Sequence, residues 1–290
     1  MKTVTVLAPA KLNLALDVVG LLPNGYHDLD MTMQAITIYE KITLRKSNTL
    51  SLTLPGSFVP ANDKNTAIKA AIAFFRWVGL LAGVSIRIEK NIPVRAGMAG
   101  GSADAAGVLV GLNTLYDARL SVGELCAIGA TVGADVPFAI LGGTCRVQGV
   151  GDFLKPLPPL PACHFVVVMP NYGVSTPAAF AAYDVQGSSI HPDCFAQEQA
   201  IKAEDFAAIC ASAGNALEEC SGARDTEEIK AALYAQGAGL AMMTGSGAAV
   251  FGMFAAQDEA KAIAAQQALA GKYSAVYLAK PARTGAKVVR

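Results

Sequence analysis

The 290-residue sequence predicts an α+β fold in two parts, and two observations carry that expectation. Strand patterns and helix patterns are both present, and they meet at a glycine-rich turn over residues 93–106, PVRAGMAGGSADAA. A proline-rich stretch over 154–161, LKPLPPLP, interrupts the chain further on. Proline fixes φ and lacks an N–H, so this stretch is neither helix nor inner strand. It is the best domain boundary, and the expected division is 1–155 and 162–290. The length suits one large domain or two ordinary ones.

The turn at 93–106 organises the rest. Val84, Ile86, Ile88 and Ile92, alternating over Ser85 and Arg87, lead into it as a strand. Val108, Leu109, Leu112 and Leu115 follow at helical steps. Between them lie Gly97, Gly100 and Gly101. Glycine permits positive φ and lets the backbone approach an anion closely. The first N–H groups of a helix have no intrahelical partner and carry partial positive charge. Ser102 is placed to cap that helix or to donate to a phosphate oxygen. The same residues also fit a plain strand-to-helix connection. Neither G-x-x-x-x-G-K-[ST] nor G-x-G-x-x-G occurs, so a Walker or Rossmann site is unsupported.

Composition narrows the function. The 23 basic and 23 acidic residues balance, which argues against a dominant nucleic-acid footprint. The 6 cysteines are scattered without C-x-x-C, and the 3 histidines do not cluster with them. Neither a zinc site nor a disulfide framework is expected. Lys11, Asn13 and Asp17 interrupt the apolar N-terminus, which is therefore a poor signal peptide. The apolar stretches 67–86 and 125–145 contain Lys69, Arg76 and Asp135, so no membrane span is expected. The expected location is the cytoplasm.

Taken in order, residues 3–8 read as a strand. Leu12, Leu14 and Leu16 then alternate with Lys11, Asn13 and Ala15, which puts Lys11 and Asn13 on one face of a second strand. Alone, that face reads as solvated. Asn24-Gly25 is a strong turn dipeptide that presents Tyr26 and His27. Residues 36–44 and 50–54 read as strands, and 65–78 as a helix capped by Asp63 or Asn65. Gly107 and Gly111 share a helix face, which predicts close packing against a helix or the sheet. Asp135 reads locally as the cap of a helix entered through Pro137. After a strand at 165–169, Ser175 or Thr176 caps a helix carrying Phe180 one turn on. Helices are expected over 203–219, 225–236 and 257–267, a glycine turn and strand over 242–254, and frayed final residues.

Five of these stretches, in this order, resemble motifs of the GHMP kinases. APAKLNL at 8–14 matches the family's A-P-A-K-[IL]-N-L throughout. PNGYH at 23–27 resembles the P-D-G-Y-H of the branch whose acceptor carries cytidine diphosphate, with Asn24 and Asp28 replacing Asp and Glu. The glycine turn resembles that branch's P-x-x-x-G-L-G-G-G-S-S-D-A-A, with Met98 and Ala99 in place of Leu and Gly, and Ala103 in place of the second Ser. GADVPF at 133–138 resembles G-[AS]-D-V-P-F. MTGSGAAVF at 243–251 resembles [MS]-S-G-S-G-x-[TA]-[VC]-F.

The resemblance implies a two-domain fold: an N-terminal domain like domain 2 of ribosomal protein S5, and a ferredoxin-like C-terminal domain, with the site in the cleft between them. It implies ATP-dependent phosphorylation, with Mg2+, of the 2-hydroxyl of 4-diphosphocytidyl-2-C-methyl-D-erythritol. Asp135 is then the catalytic base and Lys11 a catalytic cation paired with it. ATP falls to Arg95, Ala96, Gly97, Met98, Ala99, Gly100, Gly101, Ser102, Ala103, Asp104 and Ala105, with Asn65 near the adenine and Ser102 reaching Mg2+ through Mg-ATP. The acceptor falls to Asn13, Tyr26, His27, Phe180, Gly245, Ser246 and Gly247, with Tyr183 competing with Phe180 to stack on the cytosine. The expected partners are these small molecules, with no nucleic acid and no membrane, in a monomer or homodimer. Another GHMP kinase, acting on mevalonate-pathway or sugar substrates, is the alternative enzyme. A non-catalytic nucleotide- or RNA-binding module is the alternative from another class.

Overall fold

The computed structural model describes residues 3–289. It begins with a long antiparallel ribbon, β1 (Thr3–Leu21) and β2 (His27–Ser47), closed by the Asn24-Gly25 turn. The two strands expected over 3–8 and 8–14 are one. Pro9 sits where the β1–β2 register shifts, a position that tolerates a missing N–H. The chain continues through β3 (Ser51–Thr53), α1 (Thr66–Val78), β4 (Gly83–Glu89), α2 (Gly100–Leu115), α3 (Val122–Ala130), α4 (Val136–Leu141), β5 (Thr144–Gly149) and β6 (Phe153–Pro156). Then follow β7 (Cys163–Met169), α5 (Thr176–Gln186), α6 (Cys194–Lys202), α7 (Phe206–Ala211), β8 (Gly214–Asn215) and α8 (Thr226–Ala235). The last elements are β9 (Leu240–Met243), β10 (Val250–Ala255), α9 (Glu259–Leu269), β11 (Ala275–Ala279) and β12 (Lys287–Val289).

Two sheets result. The first runs β12-β1-β2-β4-β3, with β5 on β2, β6 on β5 and β8 parallel to β1. β2 is long enough to pair with β4 at one end and β5 at the other. The second runs β11-β7-β10-β9 and is antiparallel throughout. With α8 before β9 and α9 before β11, its order is the β-α-β-β-α-β arrangement of ferredoxin-like folds. All of β7 is buried, as the apolar run over 165–169 predicts. β8 and β12 return to the first sheet from the C-terminal half of the chain.

Local chemistry explains several element ends. The Asn65 side chain caps α1 by accepting from the Ala67 N–H at 2.9 Å, and Gly79 ends it at φ 67°. Ser121 and Glu124 close a capping box on α3. Two expectations fail. The helix expected over 203–219 is broken, because Asp205 caps a new helix by accepting from Ala208 N–H and Asn215 gives its side chain to Met243 and Gly245 carbonyls. Such side chains compete with helical backbone bonds. The frayed end expected of the last residues is not found over 287–289: β11 and β12 pair with β7 and β1, partners that local pattern does not reveal. No helix among the described residues is long and apolar enough to cross a membrane.

Helix α2 lies on β1 and β2, and its glycines make the approach possible. A Cβ on Gly107 would stand 2.5 Å from Ile42 Cδ1, and one on Gly111 would stand 2.3 Å from Leu44 Cδ1 and 3.1 Å from Val6 Cγ2. Gly111→Val overpacks this layer, and the expected loss is roughly 1–3 kcal/mol in urea unfolding. Unchanged stability would show that the sheet yields there without cost.

Candidate active site

Several segments, distant in sequence, converge on one cavity of about 590 Å3. β1 supplies Lys11 and Asn13 from the face opposite the fully buried Leu12 and Leu14. The Lys11 ammonium is buried and donates to Asn13 Oδ1 at 2.5 Å and to the Gly97 carbonyl at 2.6 Å. Burial lowers its pKa, and the Asp135 carboxylate opposes that shift. The expected Lys11–Asp135 pair is not closed: no ion pair within 4.0 Å joins them among the described residues, and the ammonium donates to Asn13 and Gly97 instead. Asp135 is half-buried and also lines the cavity. It stands at the N-cap position of α4, but its carboxylate makes no capping bond.

The glycine turn and the 243–251 loop pack backbone to backbone. A Cβ on Gly97 would meet the Thr244 carbonyl oxygen at 2.0 Å, and one on Gly245 would lie 2.8 Å from Gly97 O and 3.1 Å from Lys11 Nζ. Ala248 and Ala249 N–H groups donate to Arg95 and Ala96 carbonyls. Thr244 Oγ1 accepts from Asn13 N–H, and Asn215 Nδ2 donates to the Met243 and Gly245 carbonyls. The cap of α2 is Ala99, at φ 57°, and no side chain caps the helix. Ser102 is therefore not the cap. It lies in the first turn with its hydroxyl unbonded among the described residues, and the helix start faces the cavity with Gly100 and Gly101.

Met98, Ala99, Ser102 and Asp104 line the cavity with Arg95, Ala96 and Gly97. Ala103 and Ala105 do not, since they lie on the fully buried core side of α2. Asn65 lines the cavity with its side chain already spent on the α1 cap and on the Pro60 carbonyl. Ser246 lines it and shares a 2.8 Å hydrogen bond with Thr176, while Gly247 stays outside. At the rim Phe180 lines the cavity and stacks on His27, ring centroids 4.7 Å apart. His27 Nε2 contacts Asp184 Oδ1 at 2.7 Å, and Tyr183 meets the His27 ring edge-on. Tyr26 is not brought in: its side chain is 66% exposed and outside the cavity. It is a turn residue, whereas His27 begins β2.

One charged cluster escaped the sequence reading. Lys90 Nζ lies 2.5 Å from Glu40 and 2.7 Å from Asp104, all three nearly buried, beneath the start of α2. Glu40 Oε2 also accepts from Asn91 N–H at 2.7 Å. Burial pushes the Asp104 carboxyl up to about 7, with Lys90 opposing and Glu40 reinforcing the shift. Burial raises Glu40 as well. The available signal was a lone Glu40 inside the apolar strand ITIYEKITL, but nothing local joins it to Lys90.

Two outcomes follow for this region. A carboxyl raised in the fold stabilises below its unfolded pKa of about 3.9 and loses that contribution as pH climbs through its folded value. The parent's stability minus that of Asp104→Asn should therefore fall between about pH 4 and pH 8, read from urea midpoints. A flat difference would deny the shift. Left-handed backbone costs an alanine roughly 1–2 kcal/mol, so Ala99→Gly should raise stability by about 0.5–1 kcal/mol after its unfolded-state entropy is subtracted. A loss would show that Ala99 contributes packing that outweighs the strain.

Comparison with known proteins places the chain. The GHMP kinases N terminal domain family matches residues 65–143, and the GHMP kinases C terminal family matches 199–275. The 4-diphosphocytidyl-2-C-methyl-D-erythritol kinase of Lachnoclostridium phytofermentans is 39% identical over 265 residues, 90% of this chain and 91% of that protein. The protein of the same name from Geobacter metallireducens is 41% identical over 271 residues, 91% of this chain and 94% of that one. A crystal structure of 4-(cytidine 5'-diphospho)-2C-methyl-D-erythritol kinase superposes with TM-score 0.78 at 32% identity, over 95% of this chain and 98% of that one. Homoserine kinase from Cytophaga hutchinsonii superposes at TM-score 0.77 with 17% identity, over 100% and 98% of the two chains, a likeness of fold alone. Since relatives near 40% identity span almost the whole chain, it belongs to the GHMP kinase family, among the 4-diphosphocytidyl-2-C-methyl-D-erythritol kinases.

Proposed function

We propose that this chain transfers the γ-phosphoryl group of ATP to the 2-hydroxyl of 4-diphosphocytidyl-2-C-methyl-D-erythritol, a step of the non-mevalonate route to isoprenoids. The observation that carries the reading is one cavity shared by Lys11, Asp135 and the open start of α2. Phosphoryl transfer is mostly positioning and charge stabilisation. The uncapped N–H groups of Gly100 and Gly101 at the helix start hold phosphate oxygens. Asp135, whose carboxylate is not spent on its helix, accepts the hydroxyl proton. Lys11, held by Asn13 and Gly97, stabilises negative charge on the attacking oxygen and the phosphoryl group.

The cytosine stacks on Phe180, which His27 backs from its other face and Asp184 steadies through His27. That sandwich favours Phe180 over Tyr183, whose hydroxyl is turned to the Val18 carbonyl. Mg2+ binds through substrate phosphates and one or two protein oxygens, a role that the hydroxyl at the start of α2 fits. The unbonded Ser102 hydroxyl at the helix start would be one of them. Mg2+ bound with ATP supplies neutralisation of phosphate charge.

The test is ADP release with the cytidyl acceptor, and with mevalonate and galactose in parallel. Asp135→Asn should lower turnover by about 10²–10⁴-fold in a chain that still folds, because the carboxylate makes no capping bond. Near-parental turnover in a folded variant would exclude Asp135 as the base. Turnover by the parent only with another acceptor would discard the cytidine pocket.

A further inference from the structure

A second cavity, of about 460 Å3, lies at the seam between the sheets and shares no lining residue with the first. Its walls come from the end of α4, the proline-rich connection between β6 and β7, and the segment 280–283 that leaves β11. Leu141, Leu157, Leu160, Pro156, Pro159 and Pro281 give it one apolar wall beside a substantial polar one. Burial pushes the Cys145 thiol up to about 11 and the Cys163 thiol up to about 12, so both face it as neutral groups.

Besides His164, whose Nε2 lies 3.3 Å from the Ala256 carbonyl, the polar side chains of the wall are of two kinds. Gln34 and Thr144 are satisfied by one another and by the Ala35 and Ala282 carbonyls, so they demand nothing of an occupant. The other kind is cationic. Lys280 and Arg283 line the cavity, and no carboxylate does. Lys280 is partly neutralised by Glu259 at 3.2 Å, which also stands 3.8 Å from His164 Nδ1. Arg283 has no hydrogen bond or ion pair among the described residues, and it is exposed at the mouth. A chamber of this volume with an apolar wall and one unpaired guanidinium has the composition of a small-molecule site. A planar guanidinium selects carboxylate, sulfonate or phosphate heads.

We propose that this cavity is a second ligand site, taking a small amphiphilic anion with its apolar body among Leu141, Leu157 and Leu160 and its anionic head on Arg283. The site is independent of the phosphoryl-transfer reading, and its test needs neither nucleotide nor acceptor.

The probe is 1-anilinonaphthalene-8-sulfonate, followed by fluorescence on the full chain. Its neutral analogue N-phenyl-1-naphthylamine has the same rings without the sulfonate. Two variants report on the site. Arg283→Ala removes the cation, and Ala162→Trp fills the mouth from an exposed position in the β6–β7 connection. Unchanged melting temperatures verify that both fold. The expected result is one sulfonate probe per chain, about tenfold weaker in Arg283→Ala and lost in Ala162→Trp. The neutral analogue should bind equally to the parent and Arg283→Ala. No saturable binding to the parent would overturn the proposal, as would sulfonate binding indifferent to both substitutions.

Discussion

A lysine ammonium taken out of water must be satisfied, and Lys11 imposes that requirement on its own strand and on two distant segments. Its burial lowers its pKa, so the charged form persists only through what surrounds it. Asn13 meets it from the same strand face, the Gly97 carbonyl from the glycine turn, and the Asp135 field from the start of α4. Each of these groups also borders the cavity. The site is therefore a consequence of solvating one cation with protein atoms instead of water.

That arrangement constrains the backbone around it. Gly97 and Gly245 face each other across a gap with no room for a Cβ, and Lys11 Nζ lies beside it. The two glycine loops belong to different halves of the chain, so their contact fastens the halves together at the cavity. β12 and β8 add a second fastening by returning to β1. Ala99 holds a left-handed conformation in the same turn, strain that the surrounding bonds sustain.

The two buried lysines solve different problems. Lys11 has neutral oxygens as its direct partners and keeps a carboxylate at a distance, which leaves its charge available to an anionic ligand. Lys90 is clamped between Glu40 and Asp104, and its charge is consumed in joining β2 to α2 beneath the glycine turn. A buried cation shared by two carboxylates ties β2 to the first turns of α2, whose start no side chain caps.

Near-neighbour chemistry was legible in the sequence. Period-two alternation put Lys11 and Asn13 on one strand face, the glycine turn marked the helix start, and Asn65, Gly107 and Gly111 declared a cap and a packing face. The motif resemblances brought Asp135 and Phe180 to the same cavity as Lys11, as the structure places them. What tertiary structure decided were contacts between groups far apart in the chain. Lys11 bonds to Gly97 rather than pairing with Asp135, Lys90 finds Glu40, Tyr26 stays in solvent while His27 packs on Phe180, and the final strand finds β1. Periodicity and turn preferences are set by residues within one or two turns of each other. Burial and hydrogen-bond partnership depend on which strands and helices meet, and only the folded chain specifies that.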